Sequence, residues 1–542
     1  MVDTKREIER KYESDERGLP DLTGVAGVAA VIDKGVAHLD ATYYDTVDER
    51  LAASSITLRR RTGGSDAGWH LKFPVAPGVR DEIRAPLSDT VPGALAGLVR
   101  SRVRDAELVP VVRLRSDRDV RDLVDLDGRL LAEVSVDAVL AERLTGGGGP
   151  AQWTEIEVEL ADGIAPVLLD KVDKRLRRAE VRPSGSASKL ARALSETAPR
   201  KTDTAPRETE KAGKAGKIGR AGRSDTTGTS RASGTTGKQR RGTQAPVADL
   251  PPVTAGDHVL AYLSAQRDAL VALDPAVRRD LDDAVHRMRV ATRRMRSALR
   301  SYRKVLDRTV TDPIGAELKW LAGELGQDRD EEVLTERLTS ALDGLPPTLL
   351  TGPVGTRLHI WSHARRGGSR RRLGAVLDGR RYLELLGTLD ALIADPPLLR
   401  TAGGRPEKVI GKAVRGDFAA VARLVERAVE LTPGDDRDVA LHEARKKAKR
   451  TRYAAESAVP ALGVPATALV RSMKALQGLL GDHQDSVMVR EALRDLARQA
   501  HTAGESAFTY GLLYGREERR AAAVEAGLPG FWAGIRGGAA VL

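Results

Sequence analysis

Between about residue 197 and residue 250 the chain carries almost no large apolar side chain, and hydrophobic residues are spaced differently on the two sides of that stretch. The stretch is Gly, Thr, Ser, Ala, Lys and Arg. Such a composition buries too little apolar surface to offset the entropy of ordering it, so a disordered basic linker is expected there. It separates residues 1–196 from residues 251–542, and 542 residues are in any case too many for one core. Before the linker, short runs alternate polar and apolar with a period of two, which predicts strands. After it, apolar residues recur three and four apart, which predicts helices. The expected fold is α+β and multidomain, with an antiparallel sheet first and an all-α half second.

Other features narrow the chemistry. There is no cysteine, which excludes disulfides, thiolate metal sites and cysteine nucleophiles. The net charge of +12 points to a polyanionic partner, although the linker supplies part of the excess. Gly-Lys pairs ending at Lys214, Lys217, Lys238 and Lys412 are never followed by Ser or Thr, so a nucleotide P-loop is absent. The segment Met1–Glu7 is charged and lacks an apolar signal core, and no apolar run of about 18 residues occurs. A cytoplasmic protein without a membrane partner is the expectation.

Within the first 196 residues, helices are expected near 21–35, 93–99, 166–176 and 186–194, with strands elsewhere. Residues two apart in a strand share a face. Glu7, Glu9 and Lys11 therefore share one, as do Arg59 with Arg61, His70 with Lys72, Arg113 with Arg115, and Glu155 with Glu157 and Glu159. A sheet with one wet side explains any single row of this kind. Several rows of alternating sign describe a barrel with a polar interior. There, paired carboxylates offer hard oxygen ligands to Mg2+ or Mn2+, and Arg and Lys orient phosphate oxygens.

The run Glu7-x-Glu9-x-Lys11 resembles the ExExK signature of the CYTH, or triphosphate tunnel metalloenzyme, superfamily. Further segments follow in that family's order: Tyr43–Thr46, Leu58–Arg61, Trp69–Lys72, Arg80-x-Glu82, Glu133–Asp137, Glu157–Leu160 and Ser188-Lys189. The resemblance implies an eight-stranded antiparallel tunnel with peripheral helices. It implies metal ligation by Glu7, Glu9, Glu157 and Glu159, with Asp137 beside them. It further implies phosphate binding by Lys11, Arg59, Arg61, Lys72, Arg113 and Lys189, and places Glu7, Glu9 and Lys11 at the catalytic centre. Reactions of the family are hydrolysis of inorganic triphosphate, thiamine triphosphate or RNA 5′-triphosphate, and cyclisation of ATP. Arg84 stands where a second acid is often found and His70 where a hydroxyl is common.

The second half repeats itself. His286-Arg287-Met288-Arg289 through Arg296 matches His442-Glu443-Ala444-Arg445 through Arg452, and Lys319–Gly326 matches Lys474–Gly481. An offset of about 155 residues predicts a pair of helical bundles with a pseudo-two-fold repeat. On a helix, His286, Arg289, Arg293, Arg296 and Arg300 form one stripe, and Met288, Thr292, Met295, Leu299 and Tyr302 form the adjoining core row. The segments resemble a CHAD domain, a helical polyphosphate-binding module. The resemblance implies polyphosphate binding at His286, Arg289, Arg293, Arg296, His442, Arg445, Lys446, Lys449 and Arg452, with Lys319 and Lys474 as candidates. Aromatic residues make up only 3% of the chain, too few for base-stacking platforms, so nucleic acid is disfavoured. His359 and His363 have metal-ligand spacing on a helix but no evident third ligand. His483 reads as a structural residue at a helix end.

The expected protein is thus a metal-dependent triphosphatase acting on tripolyphosphate, with a helical half that holds long-chain polyphosphate, and its expected place is the cytoplasm, in association with polyphosphate granules. The alternatives are a non-catalytic polyphosphate-binding or localisation protein, and a hydrolase of another triphosphate such as thiamine triphosphate. Adenylate cyclisation finds no adenine pocket in the sequence.

Overall fold

Alternation of side chains sets the first half of the structure, a computed structural model that describes residues 3–14, 18–199, 253–366 and 369–539. Eight strands form: β1 (Asp3–Glu13), β2 (Ala30–Asp45), β3 (Thr57–Thr62), β4 (Gly68–Ala76), β5 (Val79–Ala85), β6 (Val109–Val124), β7 (Leu130–Arg143) and β8 (Ala151–Leu160). All pairings are antiparallel, and the order β1-β5-β4-β3-β2-β6-β7-β8 closes into a barrel. Closure leaves no strand edge open. The turn from β4 to β5 needs glycine at Gly78, where φ is +71° and a side chain would lie 2.7 Å from the Glu9 carbonyl. That turn accepts the Glu9 amide at 2.9 Å and so fixes β1 against it.

Helices cover the apolar outside of the barrel. On α1 (Gly93–Val103), Leu95, Leu98 and Val99 pack on Leu58, Trp69, Leu71 and Ile83. On α2 (Val167–Arg178), Leu168, Leu169, Val172 and Leu176 pack on Tyr12, Val134, Ile156 and Val158. Each fully buried apolar side chain contributes roughly 1.5–3 kcal/mol. With that face turned outward, the period of two sends the charged neighbours inward. A third helix, α3 (Lys189–Glu196), closes part of one end; Ser188 caps it by accepting the Ala191 amide at 3.1 Å. The helix expected over 21–35 does not form. Gly24, Gly27 and Gly35 adopt φ of +79°, +92° and +82°, and residues from Ala30 onward pair with β6 instead.

The second half is all α: α4 (Ala255–Arg278), α5 (Ala284–Ser301), α6 (Arg308–Glu324), α7 (Gln327–Asp343), α8 (Val354–Arg366), α9 (Ser369–Asp378), α10 (Arg380–Ala394), α11 (Pro406–Glu430), α12 (Asp435–Leu462), α13 (Val464–Thr502) and α14 (Phe508–Ala539). Thr254 and Asp257 form a reciprocal capping box that starts α4. The repeat-related pairs α5–α6 and α12–α13 share one core, in which Met288, Met295, Leu299, Ala444, Ala448 and Leu476 are buried. Tyr302 ties the copies together: its hydroxyl lies 2.6 Å from Ser457 Oγ and 3.2 Å from the Ala454 carbonyl. No helix among the described residues is long and apolar enough to cross a membrane. Most of the expected linker, residues 200–250, lies outside the described residues.

Two charged cavities as candidate functional sites

The barrel encloses a cavity of about 680 Å³. Glu7, Glu9 and Lys11 reach it from β1, Arg59 and Arg61 from β3, Lys72 from β4, Glu157 and Glu159 from β8, and Lys189 from the start of α3. Register explains the clustering: Glu9 lies opposite Glu159, Lys11 opposite Glu157, and Lys72 opposite Glu82. Arg118, Arg80, Arg84, Lys5, Glu82 and Glu133 join them there without having been singled out as site residues from the sequence.

The interior is a connected ionic network. Lys72 donates to Glu7 at 2.5 Å and lies 3.4 Å from Glu82. Glu82, fully buried, also meets Arg84 at 2.5 Å and His70 at 2.8 Å. The second nitrogen of His70 contacts the Asp66 carbonyl at 2.9 Å. Thus His70 and Arg84 both serve to hold Glu82. Lys189 Nζ sits among Glu157 at 2.5 Å, Glu155 at 2.7 Å and Asp137 at 3.0 Å. Burial by itself would raise the Glu157 pKa, but Lys11, Lys189 and Arg118 outweigh it and hold the carboxyl well below its ordinary value. Glu7 and Glu133 behave oppositely: burial raises both, and the neighbouring cations do not compensate. Burial, with Arg59 and Arg118 close by, lowers Arg61 to about 9. The Asp137, Glu155 and Glu157 oxygens lie within 4.8 Å of one another, with the Lys189 ammonium among them as their counter-ion. Asp137 itself is buried behind the cavity wall and reaches it through Arg118 and Lys189.

Arg113 is not in the cavity. It forms a forked pair with Asp40, at 2.5 and 2.9 Å, on the outer face. Even-numbered residues of β6 point inward, so Arg118 takes the position expected for Arg113 and makes a forked contact with Asp137 at 2.7 and 2.8 Å. A slip of one residue in a strand exchanges its faces. Replacing Arg118 by Gln is expected to lower turnover of a barrel substrate about 100-fold, the usual effect of removing one preorganised donor. Replacing Arg113 by Gln should change it less than about twofold. Steady-state turnover of that substrate by both variants checks this; equal losses would return Arg113 to the site.

The second cavity, of about 910 Å³, lies between the repeat-related helices. His286, Arg289, Arg293 and Arg296 line it from α5, Lys319 from α6, and His442, Arg445, Lys446 and Lys449 from α12. Arg300, Arg337, Lys447 and Arg450 add to it. Two glycines at repeat-related positions help to seat its arginines. A side chain at Gly326 would lie 2.5 Å from the Arg289 guanidinium, and one at Gly481 would lie 3.4 Å from that of Arg445. Arg452 is not among the lining residues: Glu456, one turn on, draws it to 3.4 Å, and it lies over the Tyr453 ring at 4.7 Å. Lys474 is exposed elsewhere on α13.

The remaining histidines have other roles. His359 and His363 stack at 5.8 Å on α8 and belong to no set of three ligands among the described residues. His483 lies inside α13 rather than at its end, buried, with Asp438 at 3.3 Å and Glu525 at 3.1 Å. Arg490 and Arg437 balance those two carboxylates at 3.3 and 3.0 Å, so the cluster reads as an ionic clamp joining α12, α13 and α14.

A closed barrel with an ionic interior, followed by an α-helical repeat with a basic cleft, defines a triphosphate-tunnel barrel joined to a helical domain. Residues 5–194 match the CYTH domain family and residues 261–494 match the CHAD domain family. Over 527 residues the chain is 38% identical to two proteins of Mycobacterium tuberculosis, "Uncharacterized protein MT2285" and "Uncharacterized protein Rv2226", covering 94% of this chain and 92% of each of theirs. The chain belongs to the family that joins a CYTH domain to a CHAD domain. Similar solved structures include PptA from Streptomyces chartreusis, 20% identical over 52% of this chain and 100% of that one, with a TM-score of 0.44. Another is the CHAD domain of the plant Ricinus communis, 22% identical over 53% of this chain and 92% of that one, with a TM-score of 0.41.

Proposed function

We propose that the barrel hydrolyses inorganic triphosphate with the help of a divalent metal, Mg2+ or Mn2+, and that the helical cleft binds long-chain polyphosphate. One observation carries this reading: the two cavities differ in charge balance. Among the described residues, ten Lys or Arg and eight Asp or Glu line the barrel cavity. Eleven Lys or Arg, two His and two acids line the cleft. A nearly balanced interior suits an anion that arrives partly neutralised by a metal, because burying either sign alone carries a heavy desolvation cost. A strongly basic cleft suits a bare phosphate polymer, which it binds through charge-assisted contacts and counterion release.

Glu7, Glu9, Glu157 and Glu159 would hold the metal, with Asp137 behind them. Burial leaves Glu7 and Glu133 above the ordinary carboxylate range, so a cation bound beside them would favour their charged forms. A bound divalent ion supplies charge neutralisation at the phosphate oxygens. Arg59, Arg61 and Arg118 offer guanidinium forks to those oxygens, and Lys11, Lys72 and Lys189 offer point charges. Their work is positioning and charge stabilisation, as in phosphoryl transfer generally. The test is phosphate release from tripolyphosphate, thiamine triphosphate and ATP with Mg2+ or Mn2+, together with a binding assay using long polyphosphate. Tripolyphosphate should be the preferred substrate. No release from it at any metal concentration would leave the barrel as a binding module.

A further inference from the structure

Eleven Lys or Arg and two His share the cleft, but they are not equivalent. Lys446 is paired with Glu443 at 2.7 Å and Lys447 with Asp417 at 2.6 Å. Lys319 is largely in solvent. Lys449 alone among these lysines is half-buried without a carboxylate among the described residues within ion-pair distance. The repeat makes the contrast sharper, since its counterpart on α5 is Arg293, whose charge does not titrate in this range.

We propose that the cleft binds phosphate chains with uptake of a proton at Lys449, so that its grip is coupled to pH. This rests on the reading of the cleft as a polyphosphate site and adds how that site is regulated. The groups facing Lys449 are Arg289 and Arg293 from α5 and Arg445 and Arg452 from its own helix. The other Lys, Arg, His, Asp and Glu side chains of the lining among the described residues are His286, Arg296 and Arg300 from α5, Lys319 from α6, Arg337 from α7, His442, Glu443, Lys446, Lys447 and Arg450 from α12, and Asp485 from α13. Asp485 is engaged by Arg337 at 3.3 Å, so it does not neutralise the amine. Burial, followed by the repulsion of Arg293, Arg445, Arg289 and Arg452, brings Lys449 down to about 7. Near neutral pH the free cleft thus holds this amine about half neutral. A phosphate chain placed against it replaces repulsion with attraction and restores the ordinary basicity.

The sign follows from linkage. Because the bound cleft holds the proton more tightly, affinity is full below about pH 7 and declines as pH rises toward the value in the complex. At constant salt, the decline between pH 7 and pH 9 should be roughly 30- to 50-fold. Burial, and then Lys446, lower His442 as well, so in the free cleft it is neutral at the pH of the test.

The experiment is calorimetric titration of the full chain with inorganic polyphosphate of several tens of phosphates, whose internal groups do not titrate in this range. Repeating it at pH 8 in buffers of different ionisation enthalpy gives the protons taken up per site. Wild type should take up about 0.9 proton. Lys449→Arg, which makes the two repeats alike, should bind with uptake near zero and a pH dependence below about threefold. Lys449→Met should also lose the uptake, and should bind more weakly with little dependence on pH. Binding by wild type without proton uptake, or with the same uptake in Lys449→Arg, would overturn this inference alone. No heat of binding at any pH would overturn it together with the assignment of the cleft.

Discussion

Reversing Arg289 and Arg445 together, as R289E with R445E, is expected to abolish long-polyphosphate binding while tripolyphosphate turnover stays within about twofold of wild type. The two side chains are related by the repeat, line the same cleft and rest against Gly326 and Gly481. Arg289 is itself buried. Each reversal changes the local charge by two, so the net charge of the cleft falls by four. Contacts of this kind set both affinity and salt dependence, and a loss on the order of 10³-fold at moderate salt follows. Binding measured with end-labelled polyphosphate, beside phosphate release from tripolyphosphate, separates the two effects. Parallel loss of both activities would mean that the barrel and the cleft are not independent sites.

The second large effect concerns Glu157. Its carboxylate is the meeting point of Lys11, Lys189 at 2.5 Å and Arg118 at 2.9 Å. Glu157→Gln keeps the shape but removes the charge those cations share and one of the oxygens proposed to hold a metal. Turnover of tripolyphosphate should fall by about 10³-fold, because positioning and charge stabilisation are lost together. The substitution also leaves buried cations undercompensated, a loss of about 3–5 kcal/mol for a buried pair, so the melting temperature should drop. Circular dichroism at the assay temperature distinguishes a folded, inactive variant from an unfolded one. A folded variant with more than a tenth of wild-type activity would remove Glu157 from the catalytic machinery.

Much of this arrangement was legible in the sequence because its periods are simple. A period of two placed Glu7, Glu9, Lys11, Arg59, Arg61, Lys72, Glu157 and Glu159 on the inner face, and all of them line the barrel cavity. The offset of about 155 residues brought the His286 and His442 stripes to one cleft. Errors arose where a local pattern was ambiguous. Both Arg113 and Arg118 lie on a long, arginine-rich strand, and only the pairing of its neighbours settles which parity faces in. Glu82 carries no sign in the sequence that it will be a hub, since its partners His70, Lys72 and Arg84 converge only when β4 pairs with β5. Residues 21–35 are rich in small apolar residues that suit helix and strand alike; long-range pairing with β6 decides for strand from Ala30 onward, and the residues before it form turns. The turn of Arg452 toward Glu456 is a local ion pair that a helical stripe does not foresee.

The central claim is that charge balance sorts two kinds of phosphate chain to two sites, one dependent on metal and one not. Calorimetric titration with tripolyphosphate and with long polyphosphate, each with Mg2+ and again in excess chelator, tests it most directly. Long polyphosphate should bind in chelator, and that binding should vanish in the R289E and R445E double variant. Tripolyphosphate should bind the barrel of the same double variant only with metal. Metal-dependent binding of the long chain, or metal-independent binding of tripolyphosphate by the double variant, would contradict the assignment.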